Sequence, residues 1–143
     1  MRPPLTTPVR QIDHIGIAVR SIEQATVLFR DILGLEHLGD DLVEDQGVKV
    51  AFFKAGEVKI ELLEPLSPDS PVGRFLDKRG QGVHHVALRT DDIEAASAHL
   101  SAEGLKVLYD APRDGAHGKL INFIHPADTF GVLLELTQRR GER

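Results

Sequence analysis

Two histidines and two glutamates occupy matching positions in two similar segments of this chain. His14 lies in IDHIGIAVRSIEQATVLF, and His85 lies 71 positions later in VHHVALRTDDIEAASAHL. Glu61 and Glu135 follow in the apolar runs KIELLEP and LLELTQ. Imidazole nitrogens and carboxylate oxygens bind divalent metal ions, and they also donate and accept protons in catalysis. If the two segments are copies of one module, the fold brings these four side chains around one point.

The residues beside each glutamate indicate that it lies in the middle of a strand. Glu61, for example, stands between Ile60 and Leu62. A carboxylate in so apolar a strand is costly to bury unless it is paired or coordinated. One such histidine or glutamate alone is more typical of a surface position, but two symmetric pairs favour a metal site. It would bind one divalent ion (Co, Mn, Ni, Fe or Zn) and keep open positions for water or substrate. The predicted ligands are His14, Glu61, His85 and Glu135.

The dipeptide formed by His84 and His85 leaves a choice of ligand. Successive side chains of a strand point to opposite faces, so only one of the two shares a face with His14. His85 is the residue that aligns with His14 in the repeat. We therefore expect His85 to face the metal and His84 to point to the other face.

Hydrophobic periodicity predicts an α+β fold of two tandem βαβββ modules that form a curled mixed sheet with an internal metal-binding cleft. The expected domain is 12–138, with a flexible lead-in at 1–11, module one at 12–66, a linker and helix at 67–80, module two at 81–138 and a tail at 139–143. Expected strands are 12–19, 35–38, 48–53, 58–63, 83–89, 106–109, 120–125 and 132–137. Expected helices are 22–32, 72–79 and 93–103, and expected loops are 40–46 and 111–119.

Composition limits the classes of function. The chain has 143 residues and a net charge of −5, with no local cluster of Lys and Arg, so we expect no nucleic-acid partner. It contains no cysteine, which excludes disulfides and thiol catalysis. No apolar run approaches the ~18 residues of a membrane span, and MRPPLTTPVR lacks the apolar stretch of a secretory signal. The expected location is the cytoplasm.

A glycine-rich segment, DGAHGK, is the strongest candidate for substrate binding outside the metal site. It carries His117 beside Lys119, and it is suited to a lid or an anion site, although loop polarity alone also accounts for it. We predict that His117, Lys119 and Asn122 bind substrate. The remaining histidines, His37, His99 and His125, are more typical of solvated or loop positions.

The runs DHIGIAV, HHVALRT and GVLLELTQ, with the module repeat, resemble the vicinal oxygen chelate superfamily. More narrowly, LGLE, KIELLEPL, DSPVGRFL, GVHHVAL and GAHGKLINFIHP resemble methylmalonyl-CoA epimerases, from about Ile12 to Gln138. This resemblance implies a divalent metal on the four predicted ligands, usually a homodimer, and interconversion of (2R)- and (2S)-methylmalonyl-CoA. Some relatives have Gln where this chain has Glu61. A bacterial relative has a Glu, proposed as one of two catalytic bases, where this chain has Val50.

The implied reaction removes a weakly acidic proton from the carbon α to a thioester and returns it to the opposite face. A base must come within about 3 Å of that proton. Glu135 and Glu61, from opposite modules, are our candidates for the two bases. Two alternatives stay open: a glyoxalase I-type lyase, which has a similar ligand set, and a metal-free binding protein of the same fold. An extradiol dioxygenase is disfavoured, because its site uses two histidines and one carboxylate and Glu61 would add a fourth protein ligand.

Overall fold

Eight strands and three α-helices make up the part of the chain that the computed structural model describes, residues 9–139. The strands are β1 Gln11–Ala18, β2 Glu36–Val43, β3 Val48–Ala55, β4 Val58–Pro65, β5 Gly82–Arg89, β6 Arg113–Asp114, β7 Leu120–Ile124 and β8 Leu134–Gln138. The helices are α1 Ile22–Thr26, which a π-helical segment Val27–Ile32 continues, α2 Pro71–Arg79 and α3 Ile93–Ala102. The order strand, helix, three strands occurs twice, as predicted. Residues 1–8 of the expected lead-in and 140–143 of the expected tail lie outside the described range.

The chain divides into two compact units, and each contains a mixed sheet. Within the described range, the first unit is residues 14–85, and the second comprises residues 9–13 and 86–139. The predicted module limits, 12–66 and 81–138, stay a prediction. Among residues 9–139, no helix is long and apolar enough to cross a membrane.

In the first unit, β2, β3 and β4 are antiparallel neighbours, and β1 pairs with β4 in parallel. Ser21 caps α1, because its side chain accepts a hydrogen bond from the Gln24 amide. Gly34, just past the helical segment, has a φ of +76°, a left-handed conformation that favours glycine. The helical segment covers one side of the sheet over a core of Val19, Ile22, Ala51, Phe53 and Leu62.

The predicted loop at 40–46 is wrong in its first half. β2 runs from Glu36 to Val43, and Asp40 and Asp41 pair with Ala51 and Val50 of β3. β2 is the edge strand of the first unit's sheet. Its alternate residues are exposed, so polar side chains on that face remain in solvent. The acidic residues therefore do not interrupt the strand.

In the second unit, β5 pairs with β8 in parallel, while β8, β7 and β6 are antiparallel neighbours. Asp92 caps α3, because its side chain accepts a hydrogen bond from the Ala95 amide. Helix α3 packs on the sheet through Ile93 and Ala96, which contact Leu136 of β8. The expected loop at 111–119 contains the two-residue strand β6.

The predicted strand at 106–109 is wrong, because its pairing with β7 stops after two backbone hydrogen bonds, from the Leu108 amide to the Phe123 carbonyl and from the His125 amide to the Lys106 carbonyl. Polar side chains accept the amides on either side. The Lys106 amide donates to Asp128 and the Tyr109 amide donates to Asn122, at 2.8 and 3.0 Å. Only the single bridge of Val107 with Ile124 joins this segment to β7. The sequence pattern shows the alternation of a strand but not these side-chain acceptors.

We expect Asn122→Leu to lower the free energy of unfolding by about 1–3 kcal/mol, the usual cost of buried polar groups left without partners. Asn122 is fully buried; its amide donates to Ser97 and to the Tyr109 carbonyl, and its oxygen accepts the Tyr109 and Phe123 amides. Urea denaturation measures the effect, with Ser101→Leu on the exposed face of α3 as the control. Equal stability of the two variants would contradict this role.

Candidate metal centre

Two buried imidazoles meet edge to face in the first unit. His14 of β1 and His85 of β5 are 4% and 5% exposed. Their Nε2 atoms lie 3.0 Å apart, and their ring planes are inclined at 88°. Metal–nitrogen bonds in zinc sites are about 2.0–2.1 Å long, so both nitrogens can reach a single ion from these positions.

Gly16 makes this approach possible. It lies two residues after His14 on the same buried face of β1, and a Cβ atom there would lie 2.2 Å from Cε1 of His85. A side chain at this position would displace the His85 ring. The glycine of DHIGIAV is therefore a requirement of the site that sequence reasoning missed.

Glu61 brings a buried carboxylate to His14. Its Oε2 lies 3.0 Å from Nδ1 of His14, and both side chains are 5% exposed. The contact has the distance of an ion pair but not the angles of a hydrogen bond, so Oε2 has no hydrogen-bond partner. A buried carboxylate oxygen in this state is costly unless a cation neutralises it.

Glu135 occupies the equivalent position in the second unit. Glu61 stands opposite Gly16 of β1 and Phe52 of β3, whereas Glu135 stands opposite Ala87 of β5 and Phe123 of β7. In both units the glutamate thus pairs with the residue two positions after the histidine. Glu135 is 4% exposed. The duplication seen in the sequence is therefore preserved in strand register.

The residues present fit a divalent ion. Two imidazole nitrogens converge, a carboxylate oxygen beside them has no hydrogen-bond partner, and all four predicted ligands are buried. Burial is the main cause that lowers the pKa of His85 well below its usual value, and the neighbouring His14 and His84 add to it. His85 is therefore neutral at physiological pH, which is the form that ligates metals.

His84 does not simply point away from the pair, as the strand alternation predicts. Its Nδ1 lies 2.9 Å from Nδ1 of His85, and its ring makes an edge contact with Phe75 of α2. Burial lowers the pKa of His84 to about 4, so this ring is also neutral at physiological pH. The register prediction correctly places His85 against His14, but it missed this contact.

The three predicted substrate-binding residues have different surroundings. His117 is exposed, with a left-handed φ of +55°, in the short turn Ala116–Gly118. Lys119 is 6% exposed, and its Nζ lies 2.9 Å from Asp13. Asn122 has no exposed surface, and its amide is engaged within the second unit. His117 is thus accessible to solvent, whereas Lys119 and Asn122 are buried in contacts with other residues of the chain.

Sequence reasoning also missed Asp13, whose side chain is fully buried in the second unit. Besides Lys119, Arg89 donates to it at 3.1 Å, and Arg139 approaches to 3.8 Å. This pairing ties the loop that carries His117 to β1 and β5. The sequence feature that could have indicated Asp13 is a charged residue inside the apolar strand IDHIGIAV.

Gly16→Ala is expected to disrupt the histidine pair. Overpacking of this kind costs about 1–3 kcal/mol, and here the displaced group is the His85 ring. We expect weaker metal binding and a lower melting temperature, measured by metal titration and thermal unfolding. Gly82→Ala is the matched control, since no atom lies within 4 Å of the added Cβ. Equal metal affinity in the two variants would contradict the proposed close approach.

Comparison with known proteins identifies the family of this chain. Residues 13–123 match the family model of the Glyoxalase/Bleomycin resistance protein/Dioxygenase superfamily. The ethylmalonyl-CoA/methylmalonyl-CoA epimerase of Cereibacter sphaeroides is 40% identical over 91% of this chain and 98% of that protein. The mitochondrial methylmalonyl-CoA epimerase of Mus musculus is 40% identical over 90% of this chain and 72% of that protein.

A solved structure agrees over nearly the whole chain. A variant of the Streptomyces coelicolor methylmalonyl-CoA epimerase in complex with 2-nitronate-propionyl-CoA superposes with a TM-score of 0.92 at 39% identity, covering 95% of this chain and 99% of that one. This chain belongs to the methylmalonyl-CoA epimerase family of that superfamily. The resemblance drawn from the sequence and the α+β fold of paired modules are thereby confirmed.

Proposed function

We propose that this protein interconverts (2R)- and (2S)-methylmalonyl-CoA with the help of one divalent metal ion per chain. The observation that carries the proposal is the buried pair of His14 and His85 with the unsatisfied carboxylate of Glu61, found in a chain about 40% identical to epimerases of this substrate. A structure of a relative with a CoA thioester analogue bound supports an acyl-CoA substrate.

The proposed ligands are those predicted from the sequence, His14, Glu61, His85 and Glu135. Their imidazole and carboxylate donors suit Co, Mn, Ni, Fe or Zn. Held by these residues, such an ion would supply Lewis-acid stabilisation of the negative charge that develops when the α proton leaves. Both histidines are buried, and the neutral ring of His85 offers a lone pair to an ion.

The proton is moved by carboxylates of the chain itself. Val50 is 2% exposed on β3 and offers no proton acceptor. The remaining candidates are Glu61 and Glu135, which lie on equivalent strands of the two units. We assign one to each face of the α carbon: one accepts the proton, and the other returns a proton to the opposite side. This arrangement inverts the configuration.

The decisive experiment starts from a single enantiomer of methylmalonyl-CoA in heavy water. We expect inversion with deuterium incorporated at C2, loss of both after removal of metal by a chelator, and recovery on adding a divalent ion. The hemithioacetal of methylglyoxal and glutathione serves as the competing substrate. Turnover of that compound without exchange at C2 of methylmalonyl-CoA would assign the protein to glyoxalase I-type chemistry instead.

His117→Ala is expected to raise KM or lower kcat without changing metal content. His117 is exposed on a loop that Lys119 anchors to Asp13, so its loss affects substrate and not the buried ligands. Steady-state kinetics and metal analysis of the same preparation measure both quantities. His99→Ala, on α3, is the control. Kinetics equal to wild type would leave His117 as a surface residue of the loop.

We further propose a cytoplasmic homodimer. Usual dimerisation of the family supports the assembly. Light scattering of the purified protein tests the first, and fractionation of the source cells tests the second. A monomer at micromolar concentration, or recovery of the protein in an organelle or membrane fraction, would contradict the respective proposal.

A further inference from the structure

The ring of His85 has a partner on each of its two nitrogens. Its Nε2 lies 3.0 Å from Nε2 of His14, on the side where the metal is proposed to bind. Its Nδ1 lies 2.9 Å from Nδ1 of His84. The nitrogen that faces away from the ion is therefore in hydrogen-bond contact with a second imidazole.

The protonation of this contact follows from the chemistry of imidazole. A neutral imidazole has one N–H donor and one lone pair. If Nε2 of His85 gives its lone pair to a metal, its proton must lie on Nδ1. Nδ1 then donates to Nδ1 of His84, and the proton of His84 lies on its own Nε2. The hydrogen bond to Nδ1 of His84 thus favours the tautomer of His85 that carries its proton on Nδ1.

Helix α2 holds the ring of His84 in place. Phe75 meets it edge to face, with centroids 5.0 Å apart and planes inclined at 76°. Arg79, one turn further along α2, lies 5.9 Å above the Phe75 ring. The ring is half-buried. The helix between the two modules therefore supports the site.

We propose that His84 is a positioning residue of the metal centre, which accepts the Nδ1 proton of His85 and keeps Nε2 of His85 available for the ion. The proposal rests on the proposed metal dependence of the protein, and it extends that function to a residue outside the ligand set. Partners of this kind orient metal-binding histidines and raise their basicity; their loss typically lowers metal affinity about 10–100-fold.

The test compares two replacements of His84 in the full-length protein. His84→Phe keeps a ring against Phe75 but removes the acceptor, and His84→Asn places an amide oxygen near the position of Nδ1. We expect zinc affinity, measured by competition with a chromophoric chelator, to fall about 10–100-fold in His84→Phe and to stay near wild type in His84→Asn. His99→Phe, on α3, is the control. Unchanged affinity in His84→Phe, or an equal loss in both variants, would overturn the proposal.

A second readout needs no variant. Nitrogen-15 NMR of the zinc-loaded wild-type protein reports which nitrogen of each ring carries the proton. We expect protons on Nδ1 of His85 and on Nε2 of His84, and a proton on Nδ1 of His84 would overturn the proposal even if His84→Phe fails to fold. Neither measurement uses substrate. If both results agree with the role of His84 but the protein does not epimerise methylmalonyl-CoA, only the proposed function is contradicted.

Discussion

His85→Ala is expected to leave the protein without its metal ion and to abolish most of its epimerase activity. The variant removes one of the two buried nitrogens that converge at 3.0 Å. Polarisation of a substrate oxygen by a metal is worth several kcal/mol, so the loss in kcat/KM should reach about a thousandfold. Metal analysis after dialysis and the epimerisation assay on the same sample measure the two effects.

Neighbouring histidines provide matched controls for this prediction. His84→Ala is expected to retain the ion when metal is in excess, because His84 contacts His85 and not the ion. His99→Ala, on α3 of the second unit, is expected to match wild type in both assays. Near-stoichiometric metal in the His85→Ala protein would contradict the assignment of His85 as a ligand.

Replacing either glutamate by glutamine is expected to separate metal binding from proton transfer. Glu135→Gln and Glu61→Gln keep an oxygen that can bind the ion, but an amide cannot accept the α proton. Loss of a general base costs about 10²–10⁴ in rate, so each variant should retain measurable metal and lose most epimerisation. Metal analysis and polarimetric or coupled assays of inversion measure these outcomes.

Isotope exchange resolves the roles of the two carboxylates. If each serves one face of the α carbon, each variant should still exchange the C2 proton of one enantiomer faster than that of the other. The two variants should show opposite preferences. Metal-loaded variants with turnover near wild type would show that the base is another group, such as His117.

The histidine pair and the glutamate positions could be predicted because they depend on strand register alone. A strand alternates its faces every residue, and a duplicated module repeats that alternation. His85 therefore lies against His14, and Glu61 and Glu135 stand opposite equivalent residues of their neighbouring strands. The helix caps at Ser21 and Asp92 are equally local features.

Features that depend on long-range polar contacts could not be predicted. The alternation at 106–109 favours a strand, but the side chains of Asp128 and Asn122 accept hydrogen bonds from the Lys106 and Tyr109 amides. Acidic residues at Asp40 and Asp41 suggest a loop, but the edge of a sheet accommodates them. The sequence likewise carries no sign that Gly16 faces the His85 ring, because that contact joins residues far apart in the chain.

We infer that His14, Glu61, His85 and Glu135 hold the ion on which epimerisation depends. It is tested most directly by adding a divalent ion stepwise to metal-free protein while deuterium incorporation at C2 of methylmalonyl-CoA is followed. We expect no exchange without metal, and a rate that rises until one ion is bound per chain and then stays constant. Full exchange in the metal-free protein, or the same metal-dependent rise in His14→Ala, would contradict it.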